Sequence, residues 1–245
     1  MRAVILALAL MALPANTDPT LDEQVDALLA EGADTAALAT VRAAADKGDP
    51  EGHDWLGWFH EEGRGMAVDL AKAASHYRIA AEGENNHAAW RLGVLIDSGK
   101  VKGTLEEAVA LFTAAADRGS PTGLVSLAVM QANGRGTKQD FGAAMGNYMR
   151  AAKLGHAHGV RGVGVMLFFG QGVAADPEEA AAWMLVSAAM GNEEADGNLQ
   201  IMLEKLPNDR LPAIGRRALA IADELGVEVS IVVEDDAAPA ATPAA

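Results

Sequence analysis

Cysteine is absent from the 245 residues, which excludes disulfides, thiolate metal sites, a cysteine nucleophile and a lipidated cysteine anchor. Aromatic residues are scarce too, at 4% of a chain that is half apolar. Alanine and glycine make up the difference, a composition that suits closely packed helices better than a sheet built on branched and aromatic side chains. Basic residues are outnumbered: 19 Lys and Arg stand against 34 Asp and Glu, for a net charge of −15. An acidic surface repels phosphate backbones and anionic head groups, so nucleic acid is not expected as a partner. The charge serves solubility.

Long apolar runs are missing as well. Ala3 to Leu13 spans 11 residues, short of the roughly 18 that a membrane-spanning helix needs. This run follows Met1-Arg2 and leads into Pro14, Ala15 and the polar Asn16-Thr17-Asp18. It resembles a secretory signal peptide over residues 1–15, with a buried N-terminal helix as the alternative. Export predicts a periplasmic or secreted chain with no stable membrane anchor after cleavage.

What the chain does have is a beat. Gly48, Gly83, Gly119, Gly155, Gly191 and Gly226 each close an apolar stretch, five of them alanine-rich, at intervals of 35, 36, 36, 36 and 35 residues. A fixed period in the thirties is the signature of a helical solenoid, whose repeats bury their apolar faces only by stacking. The organisation predicted is a capping hairpin over 18–48, repeats over 49–206, a capping helix over 207–226 and a disordered tail over 227–245. VEVSIVV, residues 227–233, also alternates weakly enough to read as a short strand.

Each repeat is expected to hold two helices, A and B. Asp18-Pro19, Asp49-Pro50 and Ser120-Pro121 are cap-then-proline openings of A helices. Inside them a small residue, a Leu or Val and a second small residue recur: Gly52-Leu56-Gly57, Ala88-Leu92-Gly93, Gly123-Leu127-Ala128, Gly159-Val163-Gly164, and more weakly Ala195-Leu199. Mid-helix glycine costs up to about 1 kcal/mol against alanine, so its recurrence predicts close approach of a neighbouring helix. Gly63-Arg64-Gly65, Gly134-Arg135-Gly136 and Gly170-Gln171-Gly172 then end A helices, and Asp34, Asp69, Thr104, Asp140 and Asp176 are expected to cap B helices. Within B the pairs Ala73–Tyr77, Ala108–Phe112, Ala144–Tyr148 and Ala180–Met184 place a bulky core residue four positions after a small one.

Taken together, Ala/Gly, Leu-Gly, the Gly-x-Gly turn, Asp and a closing Trp-Tyr-x-x-Ala-Ala-x-x-Gly pattern resemble the Sel-1-like repeat family, relatives of the tetratricopeptide repeats. Trp183 to Gly191 carries the second half with Met184 in the tyrosine place. Tyr148 to Gly155 carries it with Asn147 in the tryptophan place. The resemblance implies an all-α, right-handed superhelical solenoid of about six antiparallel hairpins. It also implies an adaptor for protein assembly with no shared catalytic residues.

No hydrolase or nucleotide motif is present, and no cofactor or metal is expected. His53 and His60, seven residues apart with Glu61 nearby, carry the alternative of a cell-wall or peptide hydrolase of unrecognised type. The favoured reading is a non-catalytic scaffold holding a protein or peptide partner. Stacked A helices would line a concave face, where positions two before and after the repeating Leu or Val give Asp54, Trp90, Val125 and Arg161, then Trp58, Val94, Val129 and Val165. Tryptophan and arginine are favoured interface anchors. The alternative for Trp58 and Trp90 is packing between hairpins.

Overall fold

The computed structural model describes residues 19–233; the segment read as a signal peptide, Asp18 and the tail beyond 233 lie outside them. Among the described residues the chain is all-helical. Five A–B hairpins follow one another: α1 (Leu21–Ala30) with α2 (Asp34–Ala45), α3 (Pro50–Glu62) with α4 (Leu70–Glu82), α5 (Asn86–Asp97) with α6 (Leu105–Asp117), α7 (Pro121–Asn133) with α8 (Phe141–Lys153), and α9 (Ala157–Phe169) with α10 (Pro177–Ala189); α11 (Glu193–Leu203) and α12 (Leu211–Leu225) complete the helices and both pack on α10. A short 3-10 turn, Asn208–Arg210, leads into α12. From α1 to α11 each helix packs on the next in sequence, the arrangement of an α/α solenoid, and α12 packs back on α10 beside α11.

Local chemistry sets most helix ends. Asp69, Thr104, Asp140 and Asp176 accept from the amides of Lys72, Glu107, Ala143 and Glu179 at 3.0, 3.2, 2.9 and 3.0 Å, each such cap contributing about 1 kcal/mol. Two expected caps differ. The first helix opens at Leu21 with a reciprocal Thr20–Glu23 capping box, which satisfies two amides at once. Asp34 is the first residue of α2 and bonds no backbone amide; Ala33 takes the cap position. Its carboxylate instead receives Arg64 at 2.7 and 3.3 Å, the central residue of the first Gly-x-Gly turn reaching back to the preceding hairpin.

The small residues are there for contact. A methyl added at Gly52, Gly123 or Gly159 would lie 2.5, 2.7 and 2.7 Å from the preceding B helix, at Ala45, Ala115 and Ala151 respectively. At Gly57 and Gly93 it would strike the rings of Tyr77 and Phe112, each at 2.5 Å. Tyr77, Phe112 and Met184 are buried on these surfaces. The third repeat departs from the pattern. Ala128 already carries a methyl, and Tyr148 lies instead against Gly162 of the following A helix.

One beat is displaced. Gly48, Gly119, Gly155 and Gly191 are left-handed, yet Gly83 is not; Glu84 takes that conformation at φ 66°. Gly83 serves another purpose, since any side chain there would run into Pro50. The true interval is thus one residue longer before this turn and one shorter after it.

Three clusters of buried side chains run along the stack, centred on Phe59 and Val41, on Leu92 and Phe112, and on Met184 and Ile221. Residues 227–233, expected in the tail or as a short strand, form no strand. They run extended with Val227, Val229 and Ile231 against the last cluster, while Val232 is exposed. The alternation is one of side chains alone, with no partner strand among the described residues.

Gly93→Ala should destabilise the chain by about 1–3 kcal/mol through overpacking. Gly146→Ala, where nothing lies within 4 Å, should stabilise it by about 1 kcal/mol; urea midpoints compare the two. Glu84→Gly should add about 1 kcal/mol by relieving a left-handed non-glycine residue, read as a rise in thermal midpoint.

Candidate docking groove

A helices of neighbouring repeats touch one another, α3 with α5, α5 with α7 and α7 with α9. That closer spacing belongs on the inner side of a curved stack. The eight residues expected there all lie on A helices, and seven are half-buried; Val129 is exposed. Several are spent partly on the stack itself. Asp54 lies 2.8 and 3.0 Å from Nδ1 of His87 on the next A helix. The Trp90 indole donates to Ser126 at 3.1 Å, and Arg161 pairs with Glu194. Val94, Val125 and Val165 pack on the central and C-terminal cores. Trp90 is therefore a joint between hairpins, one of the two roles expected for it.

Trp58 is placed differently. It stands perpendicular to Trp55, with ring centroids 5.5 Å apart. The Arg64 guanidinium lies 5.8 Å from its centroid. Both indoles border a cavity of about 470 Å³ at the N-terminal end of the inner face. Its acidic lining comes from Asp22 and Asp26 of α1 and from Glu51 and Asp54 of α3. Only Asp54 and Trp58 of this set were expected from the repeat pattern. Glu51, Trp55 and Trp58 share a face by helical spacing, as do Asp22 and Asp26, so that signal was present in the sequence. Contact between the two helices was not. Asp22 accepts from the Trp55 indole at 2.6 Å. Burial, together with a hydrogen bond and repulsion from Asp22 and further repulsion from Asp49 and Asp54, pushes the Glu51 carboxyl up to about 7. A second cavity, about 410 Å³, opens beside Met149, Trp183 and Arg217 at the opposite end of the chain; nothing in the repeat pattern pointed to it.

The histidines behave otherwise. His76 of α4, not singled out in the sequence, brings its Nδ1 to 3.0 Å from that of His53. It also stacks on His60, with centroids 5.5 Å apart and planes 8° from parallel. Burial holds both His60 and His76 below the usual histidine range; Lys72 and Arg42 add to it for His60, opposed by Asp69, and the nearby imidazoles of His53 and His60 add to it for His76. Among the described residues no group of three or more ligating side chains is arranged to hold a metal ion. One carboxylate joins two repeats: Glu61 accepts from the Tyr77 hydroxyl at 2.9 Å and from Arg91.

Fold and inner face together define a helical repeat protein built to present a curved surface. The Sel1 repeat matches at residues 50–85, 86–120, 121–156 and 157–192, more than half of the chain. The chain belongs to the Sel1 repeat family, whose members are typically protein-interaction scaffolds. The repeat lengths place the short interval second, in agreement with the left-handed Glu84. An uncharacterized protein of Neisseria meningitidis serogroup B is 32% identical over 142 residues, 57% of this chain and 29% of that protein. The chain therefore spans well under half the length of that relative. The crystal structure of c5321, described as a protective antigen of uropathogenic Escherichia coli with an SLR fold, superposes with a TM-score of 0.74 at 22% identity, over 89% of this chain and 51% of that one. A Sel1 repeat protein from Oxalobacter formigenes gives 0.71 at 22% identity, over 85% and 83%. These likenesses concern the fold.

The Glu51 shift has a sign that can be measured. Between its ordinary 4.5 and about 7, folded protein retains a proton that the unfolded chain has released. Stability from this group is complete below pH 4.5 and is lost as pH rises to about 7. Glu51→Gln should leave the protein more stable than its parent above pH 7 and no more stable at pH 4, by urea denaturation across that range.

Proposed function

We propose that this chain is a non-catalytic scaffold that docks a peptide segment of a partner protein along the inner face of its A helices, within the bacterial cell envelope. The observation that carries the reading is a curved row of half-buried anchors ending in an open cavity. An extended or helical segment fits such a groove. Trp58 and Trp90 supply aromatic surface and Val94, Val125, Val129 and Val165 an aliphatic middle, with Asp54 and Arg161 towards opposite ends.

Export rests on residues 1–15, where one basic residue and an 11-residue apolar run precede small and polar residues. No helix among the described residues is long and apolar enough to cross a membrane. The histidines that would serve a hydrolase, His53 and His60, are engaged with His76 between α3 and α4 and do not line the cavity. The scaffold reading is preferred for that reason.

Trp58→Ala combined with Trp90→Ala should abolish crosslinked capture of the partner from a native envelope fraction. Because Trp90 also bonds Ser126, the thermal midpoint is expected to drop by a few degrees while the helical circular dichroism at 25 °C is retained. Val129→Asp, at an exposed position, supplies a variant without that structural cost. Capture that survives both variants would remove the inner face as the docking surface.

A further inference from the structure

The cavity at the N-terminal end of the inner face combines indole walls with more carboxylate than the cations of the described residues neutralise. Arg64 is bound to Asp34, outside the cavity's acidic set, and His87 is against Asp54. Asp22 is engaged by the Trp55 indole. Among the described residues no lysine or arginine pairs with Asp26 or Glu51. The face of Trp58, meanwhile, already accepts a guanidinium, that of Arg64 at 5.8 Å from the centroid. Arg64 itself lines the cavity, and its place over Trp58 shows that these indoles can face a cation.

We propose that this cavity receives a lysine or arginine side chain from a basic segment of the docked partner, with Trp55 and Trp58 flanking its stem and Asp26 and Glu51 facing its charge. The proposal rests on the inner face being the docking surface and names the chemistry recognised at one end of it. At about 470 Å³ the cavity has room for such a side chain and the backbone that carries it. Glu51 supports the same conclusion. Its carboxyl holds a proton near neutrality because it is partly buried and hydrogen-bonded to Asp22 among other carboxylates; an incoming cation takes the place of that proton, and Glu51 ionises. The chain's net charge of −15 would draw a basic segment towards it over a distance of about one Debye length, roughly 10 Å at 0.1 M salt.

The test uses the full chain and two pairs of short synthetic peptides, otherwise neutral: one with a central arginine against its citrulline counterpart, one with lysine against acetyl-lysine. Titration calorimetry should show the charged member of each pair binding about tenfold or more tightly than the neutral one. Asp26→Asn with Glu51→Gln should erase that preference. At pH 6.5 the binding heat should also vary with buffer ionisation enthalpy, reporting proton release, and Glu51→Gln should abolish that variation. Equal binding of charged and neutral peptides, or a preference untouched by the double variant, overturns the proposal. If the peptides are not distinguished but Val129→Asp still abolishes partner capture, the inner face remains the docking surface and only the cation site falls. Failure of both removes the groove as well.

Discussion

How near one helix can come to the next governs this molecule. Tyr77 and Phe112 lie flat on Gly57 and Gly93, and the backbone ends of α2, α6 and α8 press on Gly52, Gly123 and Gly159. A single methyl at these points would overlap atoms already in place. Glycine weakens a helix taken alone by up to about 1 kcal/mol, but burial of each ring it admits contributes about 1.5–3 kcal/mol. The second effect is the larger, so the helices tolerate glycine where neighbours need the space. Where alanine stands instead, at Ala128, the ring of Tyr148 goes elsewhere, onto Gly162.

The same spacing creates the inner face. Since A helices come close enough to touch, side chains beside the repeating Leu or Val are caught between joining the stack and facing the groove. Asp54–His87, Trp90–Ser126 and Arg161–Glu194 tie successive A helices together across one repeat. The surface is therefore rigid and half-buried rather than a row of free side chains. It is also uneven along its length, acidic and aromatic beside α1 and α3, aliphatic in the middle, with an arginine further on.

A stack must also stop. At one end α1 and α2 present an outer surface with charged residues in their first turns. At the other, α12 packs on α10, and residues 227–233 follow with alternate side chains turned inward. Arg217 links Glu179 of α10 to Glu224 within α12, holding the closing helix to the last full repeat. These ends lie outside the four matched repeats.

The period, the hairpin order, the turn glycines, most B-helix caps and the buried ring positions could be read directly from residue order, because each depends on contacts within about forty residues that every repeat makes again. The eight groove positions followed from the same periodicity, and all eight lie on A helices. Three kinds of feature could not be read that way, for one reason: they depend on pairs that occur once. Asp34 left its capping role because Arg64 is thirty residues away in sequence and within hydrogen-bonding distance in space. The left-handed turn falls at Glu84, while Gly83 stands where Pro50 leaves no room for a side chain. The acidic cavity exists because α1, outside the matched repeats, brings Asp22 and Asp26 beside Trp55 and Glu51. Repetition writes local geometry into a chain many times over, while a single long-range approach leaves no pattern to detect until the helices are packed.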